Sequence, residues 1–288
     1  MKNDKKSSIS GKIFTSILLI LVIFSGLYAK TITFSFTGTT LKEDLKTYLQ
    51  WQKYLEDNSL FKVKIKFART YSEVISNIKE SKSDIAYVCS STYTLLKDTK
   101  NANLLAIPII NGDDKYYADI IALRDSNYKS LLDFKGKIFA FTDPDSTSGS
   151  ISPTYNIIKS GNSFPNFFRK LIYTYDHGES IKAVIDGFVD GASVDSLVLT
   201  QYVKKHPQAI KKLKIVQKLG PFTISPIVAR SNLSQSEFKK LQNLFLNMHN
   251  TKIGKEILKH LNIDKFEKPS SQTYDKIYKM TNFLKDNK

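Results

Sequence analysis

Thr31 to Phe36 alternates polar and apolar side chains, and Phe61, Val63, Ile65 and Phe67 repeat the alternation, so both stretches predict half-buried strands. Between them Leu41, Leu45, Tyr48, Leu49 and Leu55 fall on one face at helical spacing. Thr70-Tyr71-Ser72-Glu73 has the form of a capping box, opening a helix that buries Val74, Ile75 and Ile78. Asp84 to Val88 and Leu104 to Ile110 predict the third and fourth strands, with Cys89-Ser90-Ser91-Thr92 at the corner after the third.

The alternation of strands and helices then restarts. Asp119 to Leu123 is apolar, Lys135-Gly136-Lys137 marks a turn, and Ile138 to Phe141 is the next strand. Ser180 to Ile185 predicts a helix ended by Gly187. Ala192 to Val194 is a short strand, and Asp195 opens the helix Ser196 to Lys205, which stops before Pro207. Pro226 to Arg230 is a strand. Ser234 to Glu237 is a second capping box, before a helix with Phe238, Leu241, Phe245 and Met248 on one face. Thr273 to Leu284 predicts a last helix.

Strands alternating with helices predict an α/β chain with two mainly parallel sheets flanked by helices. No linker of low complexity separates two halves, so they are expected to be joined by strands running between them, at about residues 118–124 and 222–230. The expected division is 30–118 plus 226–288 for a discontinuous first lobe and 119–225 for the second, with a hinge of two crossing strands. Ligands of open α/β sheets bind at the carboxyl ends of the strands, so two facing sheets would share one cleft.

The beginning of the chain adds a compartment. Lys2, Lys5, Lys6 and Lys12 precede the apolar run Ile13 to Leu27, which is short for a membrane span, and Leu27-Tyr28-Ala29 ends in a small residue. Residues 1–29 are therefore read as an export signal. Cys89 is the lone cysteine of the 288 residues, so no internal disulfide is available and no cysteine follows the signal to carry a lipid. A periplasmic location is expected. The net charge of +16 comes chiefly from dispersed lysines, with arginine only at Arg69, Arg124, Arg169 and Arg230. Base-specific recognition leans on bidentate arginine, so a nucleic-acid partner is not expected, whereas a general attraction for anions is.

Candidate chemistry collects at the strand–helix corners: Thr39 and Thr40, Tyr71, Ser90 and Ser91, His177 and Asp195. The most pointed corner is Asp143-Pro144-Asp145-Ser146-Thr147-Ser148-Gly149-Ser150, which follows the strand at Ile138. A helix start offers free N–H groups and partial positive charge, and neutral hydroxyls add donors, so this corner suits an anion. His177, His206, His249 and His260 show no zinc-type spacing, and no nucleophile elbow or phosphate-binding loop occurs. No enzyme activity, metal or cofactor is expected. The adjacent Tyr116 and Tyr117 read as packing aromatics, and Cys89 as a small core residue.

Three segments carry a family resemblance: Ser83-Asp84-Ile85-Ala86-Tyr87-Val88-Cys89-Ser90; Leu132-Asp133-Phe134-Lys135-Gly136-Lys137 with the hydroxyl run at Ser146; and His177-Gly178-Glu179-Ser180 to Val184 with Val189 to Ser196. The chain thereby resembles the phosphonate- and phosphite-binding proteins of ABC transporters, a branch of the type II periplasmic binding proteins. The resemblance implies a monomeric two-lobed protein that binds a phosphonate, phosphite or phosphate and delivers it to a membrane permease. It implies that Ser146, Thr147 and Ser148 bond the oxyanion. His177 would be a further donor of tunable charge, Asp195 would accept a proton from P–OH or meet a ligand amine, and Thr39, Tyr71, Ser90 and Ser91 would contribute from the opposite lobe. Asp176, just before the histidine, departs from the family's small or hydroxyl residue there and brings an extra carboxylate. A sensor feeding a membrane receptor, or a binder of another small anion such as a sulfonate, stays open as an alternative.

Overall fold

The computed structural model describes residues 29–37, 45–164, 166–270 and 273–287. The stretch expected to be an export signal, Ala29 apart, and Thr39 and Thr40 lie outside these residues. In chain order the strands are β1 (Thr31–Phe36), β2 (Lys62–Phe67), β3 (Ile85–Tyr87), β4 (Ala102–Ile109), β5 (Lys115–Leu123), β6 (Ile138–Phe141), β7 (Lys170–Tyr173), β8 (Gly191–Asp195), β9 (Leu213–Thr223), β10 (Ile227–Arg230) and β11 (Lys265–Glu267). The helices are α1 (Leu45–Asp57), α2 (Tyr71–Lys79), α3 (Ser90–Asp98), α4 (Ser152–Lys159), α5 (His177–Ile185), α6 (Ser196–Lys205), α7 (Ala209–Lys212), α8 (Gln235–Leu246), α9 (Lys252–Leu261) and α10 (Asp275–Asp286).

The strands form two sheets, one for each lobe, in the orders β11-β4-β10-β3-β1-β2 and β7-β6-β8-β5-β9. The parallel character read from the sequence holds where strands alternate with helices: β1 pairs β2 and β3, and β6 pairs β7 and β8, all parallel. Antiparallel pairs are added by β10 and β11 in the first sheet and by β5 and β9 in the second, making both sheets mixed. The antiparallel additions include the strands next to the crossings, because a strand that returns from the other lobe enters the sheet from its far end.

The chain passes between sheets at residues 110–114 and again at 224–226. The first passage lies upstream of the 118–124 expected, since Lys115-Tyr116-Tyr117 already belongs to β5 and Tyr116 is buried. The two passages are tied to each other, with the Ile224 N–H donating to the Asp114 carbonyl at 2.9 Å and Lys115 in register with Thr223.

Each lobe has an aromatic centre. In the first, Trp51 stands edge-on to Phe34 and Phe245, with ring centroids 5.3 and 5.9 Å apart. The buried face of α1 is therefore Tyr48, Trp51, Tyr54 and Leu55, while Leu45 and Leu49, which the spacing had placed inside, are about half exposed. The aromatic stripe offers more apolar area per turn than the leucines and takes the core side. In the second lobe Phe139 stacks on Phe168 at 4.8 Å and meets Phe134 edge-on at 4.9 Å. Ser234 and Glu237 form the complete capping box expected at α8. At α2 only half of the box forms: Thr70 accepts from the Glu73 N–H, but the Glu73 carboxylate accepts from Arg69 instead.

The last helix, α10, touches both lobes. Phe283 packs edge-on to Tyr155 of α4 with centroids 5.0 Å apart, and Lys285 pairs with Asp98 of α3 at 3.5 Å. Just before it, the Tyr274 hydroxyl donates to the Ile224 carbonyl at the second passage, at 2.8 Å.

Candidate functional site

After β6 the chain does not go straight into an α-helix. Ser146 caps a wide π-type turn, Thr147–Ile151, whose hydroxyl oxygen accepts from the Gly149 N–H at 3.0 Å. The Ile151 N–H reaches back to the Ser146 carbonyl at 2.9 Å. The hydroxyl run thus is the first turn itself rather than a loop before it, and single π turns of this kind recur at functional sites. All of Thr147 to Ile151 is buried. A Cβ on Gly149 would lie 2.6 Å from Cβ and Oγ1 of Thr142, so only glycine fits against that strand end. Gly149→Ala is expected to destabilise the protein by about 1–3 kcal/mol through this overlap, read from thermal unfolding of the ligand-free protein.

Thr142 Oγ1 leads to the next pair, lying 2.9 Å from His177 Nδ1. The backbone N–H of Asp195 also donates to Nδ1, at 3.1 Å. A backbone N–H only donates, so Nδ1 carries a lone pair and the ring proton sits on Nε2. Burial holds the imidazole neutral by lowering its pKa to about 3. The histidine is therefore a neutral donor through Nε2 across the ordinary pH range, not the tunable charge suggested at first. Asp176 caps its helix, its carboxylate oxygen accepting from Gly178 and Glu179 N–H at 2.8 and 3.2 Å. The additional carboxylate noticed in the sequence is thus committed to the end of α5.

Asp195 ends β8 and caps α6, accepting from the Leu197 and Val198 N–H at 2.8 and 3.3 Å. Burial raises its pKa to about 7 in spite of these two bonds, and the nearby Asp119 charge adds to the rise. Asp119, also buried, is raised to about 6 by burial against the partial relief of Lys218.

The first lobe supplies the other wall from the starts of α2 and α3. The Tyr71 N–H donates to Asp143 Oδ2 at 3.0 Å, and the Ser91 N–H donates to Thr147 Oγ1 at 2.9 Å. The Thr147 N–H points at the sulfur of Cys89, 3.3 Å away, so the cysteine lies at the seam between the lobes rather than deep in one core. The hydroxyls of Ser90 and Ser91 both donate within the protein, to the Thr223 carbonyl at 2.6 Å and to the Asp145 carbonyl. Both stand at the seam, and their side chains brace the crossing and the lobe contact.

Among the buried hydroxyls without a hydrogen-bond partner are those of Tyr71, Tyr116 and Ser148, with Thr92 and Ser152 on the neighbouring helix starts. The Tyr71 phenol faces Ser146, and the Tyr116 phenol faces Thr147 and Ser90. Both phenols are held far above their usual pKa by burial, with the neighbouring Cys89 and acidic groups adding to it. A buried donor without a partner costs free energy, and these hydroxyls are able to donate to an acceptor placed at the seam. Tyr116 is the member that the sequence had assigned to packing. Its signal was present in hindsight, since it is the inward residue of a strand that ends at the cleft. The structure brings Tyr71, Ser90, Ser91, Ser146, Thr147, Ser148, His177 and Asp195 around one seam. Among the described residues no group of His, Cys, Asp and Glu is placed to hold a metal ion.

The model of the family described as ABC transporter, phosphonate, periplasmic substrate-binding protein matches residues 34–274. The phosphonates-binding periplasmic protein of Escherichia coli (strain K12) is 28% identical over 260 residues, covering 86% of this chain and 76% of that protein. A phosphate-import protein of Mycolicibacterium smegmatis is 27% identical, covering 80% of this chain and 75% of its own. A crystal structure of a binding protein component of an ABC phosphonate transporter from Pseudomonas aeruginosa aligns with a TM-score of 0.83 at 25% identity, over 89% of this chain and 87% of that one. The fold is also that of PhnD1 from Prochlorococcus marinus, solved in complex with methylphosphonate, with a TM-score of 0.80 at 21% identity over 89% of this chain and 98% of that one.

Proposed function

Since the chain belongs to the family of periplasmic phosphonate-binding proteins of ABC transporters, we propose that it clasps one small phosphorus oxyanion at the seam described above. Phosphonate, phosphite and phosphate are the candidate ligands, and the chain delivers its cargo to a membrane permease. The observation that carries this is the group of unpaired buried hydroxyls at the seam, Tyr71, Tyr116 and Ser148 among them, with donors from both lobes. These neutral donors replace the water around a tetrahedral anion without placing a full positive charge in the cavity. The N–H groups at the starts of α2, α3 and the turn at Thr147 add a favourable local field.

Asp195 supplies the selectivity. Its raised pKa keeps an acceptor or a shared proton available against a P–OH group, whereas sulfate would meet it with lone pairs only. The neutral His177 holds the Asp195 backbone and contributes its Nε2 proton. Thr39, two residues after the described Thr37 in the sequence, is read as a further donor. Charge-assisted hydrogen bonds contribute about 1.5–3 kcal/mol each, so a handful of them supplies the roughly −8 kcal/mol of micromolar binding, less the cost of lobe closure. Residues 1–29 export the chain, and one copy supplies every group of the site, so it acts as a monomer. The lobes turn about residues 110–114 and 224–226.

The test is calorimetry and thermal shift of the purified protein with methylphosphonate, phosphite, phosphate, sulfate and methanesulfonate. The phosphorus anions are expected to bind and to raise the melting temperature, with sulfate inert. Binding of sulfate or methanesulfonate in preference to all three phosphorus anions would overturn the proposal.

A further inference from the structure

The second lobe opens a separate groove on the other face of its sheet. Successive side chains of a strand point to opposite faces, so Tyr116 of β5 turns to the anion seam, while Asp119 and Ile121 belong to the far face. There they line a groove of about 540 Å³ with Leu199 and Val203 of α6, Ile210 of α7 and Ile215 of β9. Ile210 and Ile215 are about half exposed, so the apolar wall runs out to the rim.

Asp119 is the one carboxylate in this lining. It is 2% exposed, and its Oδ1 is buried with no hydrogen-bond partner. The cations around the groove are engaged elsewhere. Lys218 stands opposite Asp119 in the β5–β9 register, yet its ammonium lies over the Tyr117 ring, 5.6 Å from the centroid. Arg124 donates to the carbonyls of Lys211, at 3.0 Å, and Ile210, and Lys214 donates to the Ser126 carbonyl. A buried carboxylate oxygen without a donor costs free energy, and a ligand that brings a charged donor recovers it.

We propose that this groove is a second binding site, for a small organic cation made of a primary ammonium on an apolar stem, with Asp119 accepting from the ammonium. The donor set of the ligand follows from Asp119, which only accepts when ionised. Its stem follows from the walls, because aliphatic side chains on three elements favour an alkyl chain over a hydrated ion. Apolar walls around a single convergent polar group are the usual make-up of a small-molecule site, and the volume lies in the usual range. The site is independent of the anion seam, which lies on the other face of the sheet.

The probe is pentylammonium chloride on the purified protein, with 1-pentanol and ammonium chloride supplying the stem and the charge alone. Calorimetry is expected to show one site, with pentylammonium roughly 10- to 100-fold tighter than either control. Amide NMR shifts are expected in β5, α6 and β9. Asp119→Asn removes a buried charge without changing shape, so it is expected to fold and to lose the preference for pentylammonium over pentanol. Ile215→Thr, at a half-exposed wall position, is expected to weaken pentylammonium by roughly threefold. Ser148→Ala, a change at the anion seam, is expected to leave it within about twofold. Pentanol binding as tightly as pentylammonium, or a preference that survives Asp119→Asn, overturns the proposal. Displacement of pentylammonium by methylphosphonate also overturns it, by placing the amine at the seam, and leaves the oxyanion reading standing.

Discussion

Ser148→Ala is expected to weaken methylphosphonate binding by roughly 10- to 150-fold while the ligand-free protein becomes no less stable, and slightly more so. The two effects have one cause. The Ser148 hydroxyl is buried at the seam and bonds nothing in the protein, so removing it takes away an unmet desolvation cost from the free state. With an anion in place the same hydroxyl is a charge-assisted donor, and its loss is felt in full. Tyr116→Phe follows the same logic and the same signs, for the phenol that no neighbour satisfies. Ser146→Ala makes the contrast. Ser146 Oγ already accepts from the Gly149 N–H, so that variant is expected to lose about 0.5–2 kcal/mol of stability as well as affinity. Calorimetry and thermal unfolding of the three variants separate the cases. A marked drop in ligand-free stability for Ser148→Ala, with affinity unchanged, would show that this hydroxyl serves packing and not recognition.

Asp195→Asn is expected to leave stability unchanged near pH 4 and to raise it above pH 7, by at most about 4 kcal/mol. An unfolded aspartate ionises near 3.9, whereas burial holds Asp195 protonated in the folded chain up to about pH 7. Between those values the folded state carries the extra proton, so the wild-type protein loses stability as pH rises through the window. Asparagine keeps an oxygen for the N–H groups of Leu197 and Val198, so the cap of α6 survives, and it has no charge to bury. His177 acts with opposite sign, its lowered pKa costing stability as pH falls from about 6.5 towards 3. That contribution is common to both proteins and drops out of their difference. Melting temperatures of the pair from pH 4 to pH 8 should coincide at the acid end and separate by several degrees at the other. Parallel curves would mean that Asp195 is ionised throughout in the folded protein. With ligand the order reverses, because the variant has lost an anionic acceptor for the P–OH proton and binds methylphosphonate more weakly.

Much of this architecture was legible because each signal was local. β1 and β2 alternate cleanly along one half-buried sheet, and α8 announces its start with a complete capping box. β9 was not legible. It is an edge strand in which Lys214, Gln217 and Lys218 interrupt the apolar positions, and it is held by its partner β5 rather than by its own pattern. The face of α1 was misassigned because Leu45 and Leu49 sit at core spacing, while the larger rings beside them took the core. The site divides in the same way. The turn at Ser146, the cap at Asp195 and the histidine before α5 are strand–helix corners, which sequence locates well. The direction of a hydroxyl is decided by residues far along the chain: Ser90 turns to Thr223, and Ser91 to Asp145. Tyr116 joins the site only because β5 carries it from one lobe to the seam.

The final helix has a practical corollary. It leans on Tyr155 in one half of the molecule and on Asp98 in the other, and it also packs beside the turn Thr147–Ile151. Widening of the mouth is expected to shift Phe283 against Tyr155. A dye attached to the last turn is therefore expected to change its surroundings with every cycle of capture and release, and to give an optical gauge of occupancy.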